Sequence, residues 1–311
     1  MSRTEMRVTV VILTHNRREE VLRTVGRLRR LPDPICLCVV DNASSDGTAD
    51  ALRAAFPDLH VIAAARNLGA AGRNLGVQWA RTPYVAFCDD DTCWEPHALE
   101  RAADILDLHP RVATLCAQVR VGAEGRSDPT CERMAQSPLP SHGLPGKALL
   151  GFLAGASVMR ASAFLQAGGY HPAFFIGAEE ALLALDLAAA GWHMVYCPEI
   201  VTRHEPSPQR DVPARRFLLA RNELWTAWLR LPLLDALDET VRVGRRAREE
   251  LGGFMPLVLA ALRGLPWIVA QRRVVPPEVM AMRRLLRNEA VLADGAAAMS
   301  RHAPASSSPE Q

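Results

Sequence analysis

Three consecutive carboxylates, Asp89, Asp90 and Asp91, close the apolar run Tyr84-Val85-Ala86-Phe87-Cys88. A strand that ends in carboxylates gathers negative charge at the rim of a sheet, and the charges repel unless a cation sits among them. Side chains alternate across a strand, so Asp89 and Asp91 are expected on one side with Asp90 facing away. Two hard oxygen ligands on one side suit Mg²⁺ or Mn²⁺, which keep waters and take phosphate oxygens as further ligands. The plainer reading is an acidic turn in which Asp91 or Thr92 caps a helix beginning near Pro96. An isolated triplet does not decide between the two.

Four further clusters carry chemistry of the same kind. Asp41-Asn42-Ala43-Ser44-Ser45-Asp46-Gly47-Thr48 reads either as a capped strand–helix turn or as a base-recognition loop with Asp41 accepting a base N–H. Gly69 through Gly76 lacks the G-x-G-x-x-G spacing of a dinucleotide loop and reads as a small-residue helix start, with Arg66 and Arg73 as anion partners. Glu179 and Glu180 open a helix, where carboxylates already oppose the dipole; neighbours diverge by about 100° around the axis, so one of them is expected to face a cleft. There it would act as a general base toward an alcohol. His204 follows the expected strand Met194–Tyr196 and suits a third metal ligand beside a carboxylate and phosphates.

The elements that must hold these groups alternate. Strands are expected at Val8–Leu13, Ile35–Val40, Leu59–Ala64, Tyr84–Cys88, Val112–Val121, Phe152–Arg160 and Trp192–Tyr196. Helices are expected between them, at Glu19–Leu31, from Ser45 to about Ala55, at Ala70–Ala80, Pro96–Leu108, Ser162–Ala167 and Ala178–Ala190. Repeated βα units mean a mostly parallel sheet with helices on both faces, and its ligands bind outside the carboxyl ends of the strands. Thr14-His15-Asn16, Asp41-Asn42 and Asp89–Asp91 all fall directly after strands, so three polar clusters converge on one edge. Gly122–Lys147 and Pro206–Pro213 read as loops, residues from Ala214 onward as helices broken by prolines, and Ala303–Gln311 as a disordered tail.

Composition narrows the class. At 311 residues, 49% hydrophobic and 23% charged, the chain can bury a full core as a globular protein. Residues 1–202 hold 19 basic and 22 acidic side chains, and residues 203–311 hold 17 and 12, so the small net charge of +2 hides a basic C-terminal third. That third suits phosphates or an anionic membrane surface, or simply presents solvated helix faces. The seven cysteines lack paired CxxC spacing and read as buried thiols in a reducing compartment, which argues against zinc. Val8–Leu13 is too short for a signal segment, and Phe254–Ala270 is interrupted by Pro256, Arg263, Gly264 and Pro266, which disfavours a spanning helix.

Taken in order, the segments Val10–Arg17, Asp41–Thr48, Arg66–Gly76, Phe87–Asp91, Gly155-Ala156, Gly168-Gly169-Tyr170, Glu179–Trp192 and His204 resemble the family-2 glycosyltransferases, nucleotide-sugar enzymes of the GT-A fold. The resemblance spans residues 7 to about 210. It implies an α/β GT-A catalytic domain over 1–213, a helical extension over 214–302 and a tail over 303–311. It implies a nucleotide pocket lined by Thr14, Asn16, Arg17, Asp41, Asn42, Arg66 and Gly69 with Arg73 beneath. Asp89 would face sugar, ribose or metal with Asp90 beside it, and Asp91 and His204 would complete a metal site. Glu180 falls at the base position; Glu179-Glu180 stands where the family commonly has Glu-Asp, and Leu182 where a further acidic residue is common.

The activity so implied is an inverting, Mg²⁺- or Mn²⁺-dependent hexosyl or deoxyhexosyl transfer in cell-surface polysaccharide synthesis. The donor would be a UDP or dTDP sugar and the acceptor a glycan, lipid-linked or small-molecule hydroxyl, with no nucleic-acid partner. The setting would be cytoplasmic, with peripheral contact at the inner face of a membrane left open. A non-catalytic nucleotide- or glycan-binding module is the second reading. A sugar-phosphate nucleotidyltransferase is the third, ranked last because Thr14-His15-Asn16-Arg17 replaces the glycine- and lysine-containing phosphate loop it needs.

Overall fold

The structure is a computed structural model describing residues 6–206, 212–250 and 255–288. Most of the expected loop Pro206–Pro213 and the whole tail from 303 lie outside the described residues. The strands are β1 (Val8–Thr14), β2 (Ile35–Asp41), β3 (His60–Ala63), β4 (Tyr84–Asp89), β5 (Thr92–Trp94), β6 (Val112–Val121), β7 (Arg126–Ser127), β8 (Lys147–Leu149), β9 (Ser157–Arg160) and β10 (His193–His204). The helices are α1 (Arg18–Leu28), α2 (Thr48–Ala55), α3 (Arg73–Trp79), α4 (Ala98–Leu108), α5 (Pro129–Ala135), α6 (Ala161–Gln166), α7 (Glu179–Ala189), α8 (Val212–Arg230), α9 (Leu233–Glu250), α10 (Met255–Leu262), α11 (Leu265–Gln271) and α12 (277–288).

These strands form one sheet, in the order β3-β2-β1-β4-β9-β6-β10-β5, with β7 added to β6 and β8 to β10. It is parallel from β3 to β4 and again between β6 and β10, while β9 runs antiparallel to both its neighbours. The α/β expectation therefore holds with a mixed sheet. β1 shows why both faces are covered. Val8, Val10 and Ile12 pack with Val21, Val25 and Leu28 of α1 and Leu99 and Leu106 of α4. Val11 points the other way, toward Val77 of α3, Phe164 of α6 and Leu183 of α7.

The short β5 decides the geometry of the site. It follows β4 after only two turn residues, Asp90 and Asp91, yet it pairs with β10 at the opposite end of the strand order, Thr92 opposite His204. The sheet must curl to allow this. That pairing rules out the capping role expected for Asp91 or Thr92. The helix α4 instead begins at Ala98, and Asp33 accepts the backbone N–H groups of His97, Leu99 and Glu100 at 2.8–3.1 Å.

Three other expectations are corrected. Gly122–Lys147 is not a bare loop, because Asp128 accepts the Thr130 N–H at 2.7 Å and Pro129 pre-sets the first turn of α5, whose Cys131 is buried. Phe152–Arg160 is strand only from Ser157. β10 continues to His204, because its second half pairs with β5 on one side and β6 on the other.

The C-terminal helices pack onto α7 through shared apolar clusters. Leu185 meets Ala227, Leu231 and Val279, and Leu182 meets Trp225, Leu229 and Ile268. Arg230 donates to both carboxylate oxygens of Asp186, at 2.5 and 2.9 Å.

Candidate active site

The polar strand ends open into a cleft of about 660 Å³. One side is built around Arg17, at the turn after β1. Its Nη1 donates to Asp90 Oδ1 at 2.9 Å and to Asp91 Oδ2 at 3.2 Å. Thr14 Oγ1 adds a 2.9 Å bond to the second Asp90 oxygen, and Thr24 Oγ1 donates to the Asp90 carbonyl. Asp90 is thus the organising residue here, which corrects the expectation that it faces away. Strand alternation stops at Asp89, where β4 ends, and the turn swings Asp90 and Asp91 together onto Arg17. Burial pushes the Asp90 carboxyl up to about 6, against the opposing pull of Arg17 and Thr14.

His204 reaches the same corner by way of β5–β10 pairing, its Nε2 3.5 Å from Asp91 Oδ1. A carboxylate and an imidazole at that spacing can share one divalent ion, with substrate phosphates and waters as its remaining ligands. Asp89 is not part of this pair. Its carboxylate accepts from Arg73 Nη2 and lies against Gly155, where any Cβ would collide with it. Among the described residues no group of three His, Cys, Asp or Glu side chains is arranged to hold a metal. Asp91 and His204 are thus adjacent at this corner, while Asp89 lies beside Arg73 and Gly155.

Arg73 itself is buried, stacked about 6.0 Å from the Phe87 ring. Burial pulls its pKa down, but the charges of Asp89, Tyr170, Glu179 and Glu180 outweigh this and raise it. Asn42 closes the floor, donating to Asn67 Oδ1 at 2.9 Å and the Gly69 carbonyl at 3.0 Å.

At the other side stand Glu179 and Glu180, and both line the cleft. The expectation that only one would do so assumed a helix flank, whereas the cleft meets the N-terminal turn of α7. Burial first, then the neighbouring Glu179 charge, pushes Glu180 up to about 7. Burial also raises Glu179. Glu179 Oε2, Arg73 Nε and the Tyr170 hydroxyl are buried without a hydrogen-bond partner among the described residues. Unpaired buried polar atoms around a cleft are the mark of a site that a ligand or water completes.

Asn16, Asp41 and Arg66 do not line the cleft. Asn16, at φ 53°, turns outward and accepts the Ser45 N–H at 2.7 Å. Asp41 is buried and accepts the Ser44 N–H at 3.2 Å within its own turn, and Arg66 is exposed. Sequence reasoning missed Phe175, Arg215 and Leu218, which do line it. Arg215 and Leu218 belong to α8, and nothing in the local pattern of that helix signalled contact with a site built by residues far earlier in the chain.

Comparison with known proteins agrees with this architecture. A protein of Mycobacterium tuberculosis named N-acetylglucosaminyl-diphospho-decaprenol L-rhamnosyltransferase is 25% identical over 246 residues, 64% of this chain and 78% of that protein. Among solved structures, a mannosyltransferase from Pyrobaculum calidifontis in complex with GDP-Man and Mn²⁺ superposes with a TM-score of 0.57 at 20% identity, over 93% of this chain and 87% of that one. S. aureus TarS in complex with UDP-GlcNAc gives a TM-score of 0.58 at 17% identity, over 89% of this chain and 84% of that one. Residues 9–166 match the profile described as Glycosyl transferase family 2. The chain belongs to that family, and it is an enzyme that transfers sugars.

Proposed function

We propose that this glycosyltransferase moves a sugar from a UDP or dTDP donor to an acceptor hydroxyl with inversion at the anomeric carbon. The observation that supports the reading is that one cleft is lined both by the adjacent Asp91 carboxylate and His204 imidazole and by the Glu180 carboxyl, which burial raises to about 7. Mg²⁺ or Mn²⁺ held by Asp91 and His204 would neutralise the charge that develops on the leaving diphosphate. Arg17, Thr14 and Asp90 fix that corner, and Arg73 holds Asp89 against the donor side of the floor. Glu180 in its ionised form takes the proton from the acceptor hydroxyl as the new C–O bond forms and the diphosphate departs. A single base with direct displacement gives inversion. Proton NMR of freshly formed product tests this: the new glycosidic linkage should carry the anomeric configuration opposite to the donor's, and retention would overturn the proposal.

The acceptor is proposed to be lipid-linked, in keeping with the name of the mycobacterial relative. No helix among the described residues is long and apolar enough to cross a membrane. Peripheral contact is supported by a different observation. Among the described residues, most exposed large apolar ones lie in the C-terminal helices, including Leu234, Leu237 and Val241 of α9 and Leu259 and Val269 of α10 and α11. Exposed Arg263 and Arg273 flank the last two. Concentrated apolar exposure beside arginines suits an anionic bilayer surface. The protein is expected to float with phosphatidylglycerol-containing vesicles at low salt and to release in high salt. Absence from the floated fraction at low salt would rule the contact out. The seven free cysteines accord with a cytoplasmic setting.

A further inference from the structure

Phe175 combines two unusual properties. The residue is 39% exposed, the one aromatic among the exposed large apolar residues described. Its backbone sits at φ 63°, ψ −74°, a γ-turn conformation that non-glycine residues rarely adopt. Such strain survives only where surrounding structure over-determines it, and it concentrates at ligand-binding turns.

The turn is held from three directions. Ile176 N–H donates to the Phe174 carbonyl at 2.8 Å and closes the turn itself. Ala70 N–H donates to the Phe175 carbonyl at 2.6 Å, and Gly69 is required beside it because a Cβ would strike that carbonyl. From α8, the fully buried Asn222 shares its amide hydrogens among the carbonyls of Phe174 at 2.8 Å, Ile176 at 3.2 Å and Gly177 at 2.5 Å. Arg221 adds a 2.9 Å bond to Phe174. The adjacent Phe174 meets the packing need, fully buried against Trp225 and Trp267. Core packing therefore leaves Phe175 unaccounted for, although the fold fixes it as part of the lining of the cleft that Glu179, Glu180, Arg215 and Leu218 also line.

We propose that Phe175 is the platform of a carbohydrate acceptor subsite, on which the C–H face of a sugar ring stacks and turns a hydroxyl toward Glu180. A sugar ring has an apolar face of C–H groups and a polar rim, and an aromatic ring buries the first without occupying the second. Arg215, which lines the same cleft, supplies a cation suited to an acidic or phosphorylated substituent of the acceptor. This subsite rests on the transferase reading and adds the substrate class: a pyranose already present on the acceptor.

The test uses full-length protein saturated with UDP and Mn²⁺, probed by saturation-transfer NMR with methyl glycosides of N-acetylglucosamine, glucose and galactose. At least one glycoside should bind the wild type and F175Y through its ring C–H protons, and bind F175A and F175L about tenfold more weakly. UDP affinity and melting temperature should be unchanged in all three variants. Equal binding by F175A and wild type, or no glycoside binding to a wild type that does bind UDP, would overturn the subsite while leaving the transferase reading intact. Loss of UDP affinity in both F175A and F175L would assign the ring a structural role and also overturn it. A wild type that binds no UDP with Mn²⁺ would overturn the donor-site reading on which the subsite rests.

Discussion

Replacing Glu180 by Gln is expected to lower kcat by about 10³-fold, the range that loss of a positioned general base produces. Gln keeps the shape and the hydrogen-bonding reach but cannot accept the proton. UDP affinity should stay near that of the wild type, because the substitution leaves Arg17, Asp90, Asp91 and His204 untouched. The wild-type pH profile follows from the same carboxyl. Glu180 is pushed up to about 7, so it is protonated and idle below that pH and ionised above it. The rate should rise through that region and level off. Glu179 provides a second check. Its charge raises the Glu180 pKa, so E179Q should move the acidic limb to lower pH while preserving much of the plateau rate. A limb that stays in place in E179Q, or an E180Q variant with wild-type turnover, would remove Glu180 from the base role.

The second large effect is expected at Asp91. D91N can keep the hydrogen bond from Arg17 but removes the carboxylate charge beside His204, at the corner proposed to bind the cation. Loss of charge stabilisation on the leaving diphosphate should lower kcat by about 10²- to 10³-fold. The Mn²⁺-dependent part of UDP binding should fall with it. H204A should act in the same direction. D89N is expected to behave differently, because Asp89 is paired with Arg73 instead of standing beside His204. Its defect should appear in the donor sugar and persist at saturating Mn²⁺. If D89N alone abolished the metal dependence and D91N did not, the assignment of the two carboxylates would have to be exchanged.

The legible part of this protein was the part written in local pattern. Apolar runs ending in Thr14, Asp41 and Asp89 announced parallel strands with their polar ends on one edge, and the sheet places those ends together. The misreadings came where long-range pairing overrides local period. No periodicity in Thr92-Cys93-Trp94 reveals that it pairs with Thr202–His204, yet that pairing brings His204 to Asp91 and turns Asp90 inward. The α5 helix was hidden for a different reason: at seven residues it is too short for a helical period, and its Asp128-Pro129 start was the only available signal. Asp41 and Asn16 show the opposite limit. Their residue types suit a ligand site, but Asp41 bonds within its own turn and Asn16 bonds across to Ser45 of the turn after β2, uses that sequence spacing does not separate from recognition. The α8 contribution through Arg221 and Asn222 depends on how helices dock, which depends in turn on apolar clusters shared with α7.

A metal-assisted nucleotide-sugar site at Asp91 and His204 is tested most simply by the melting temperature of the wild type with UDP, dTDP, GDP and CDP, each with and without Mn²⁺. A ligand that binds only the native state at about 100 times its Kd adds about 2.7 kcal/mol, or a rise of about 4 °C for a chain of this size. A rise of that order is expected with UDP or dTDP, dependent on Mn²⁺ and absent in D91N. No shift with any diphosphate, or an equal shift with and without metal, would contradict such a site.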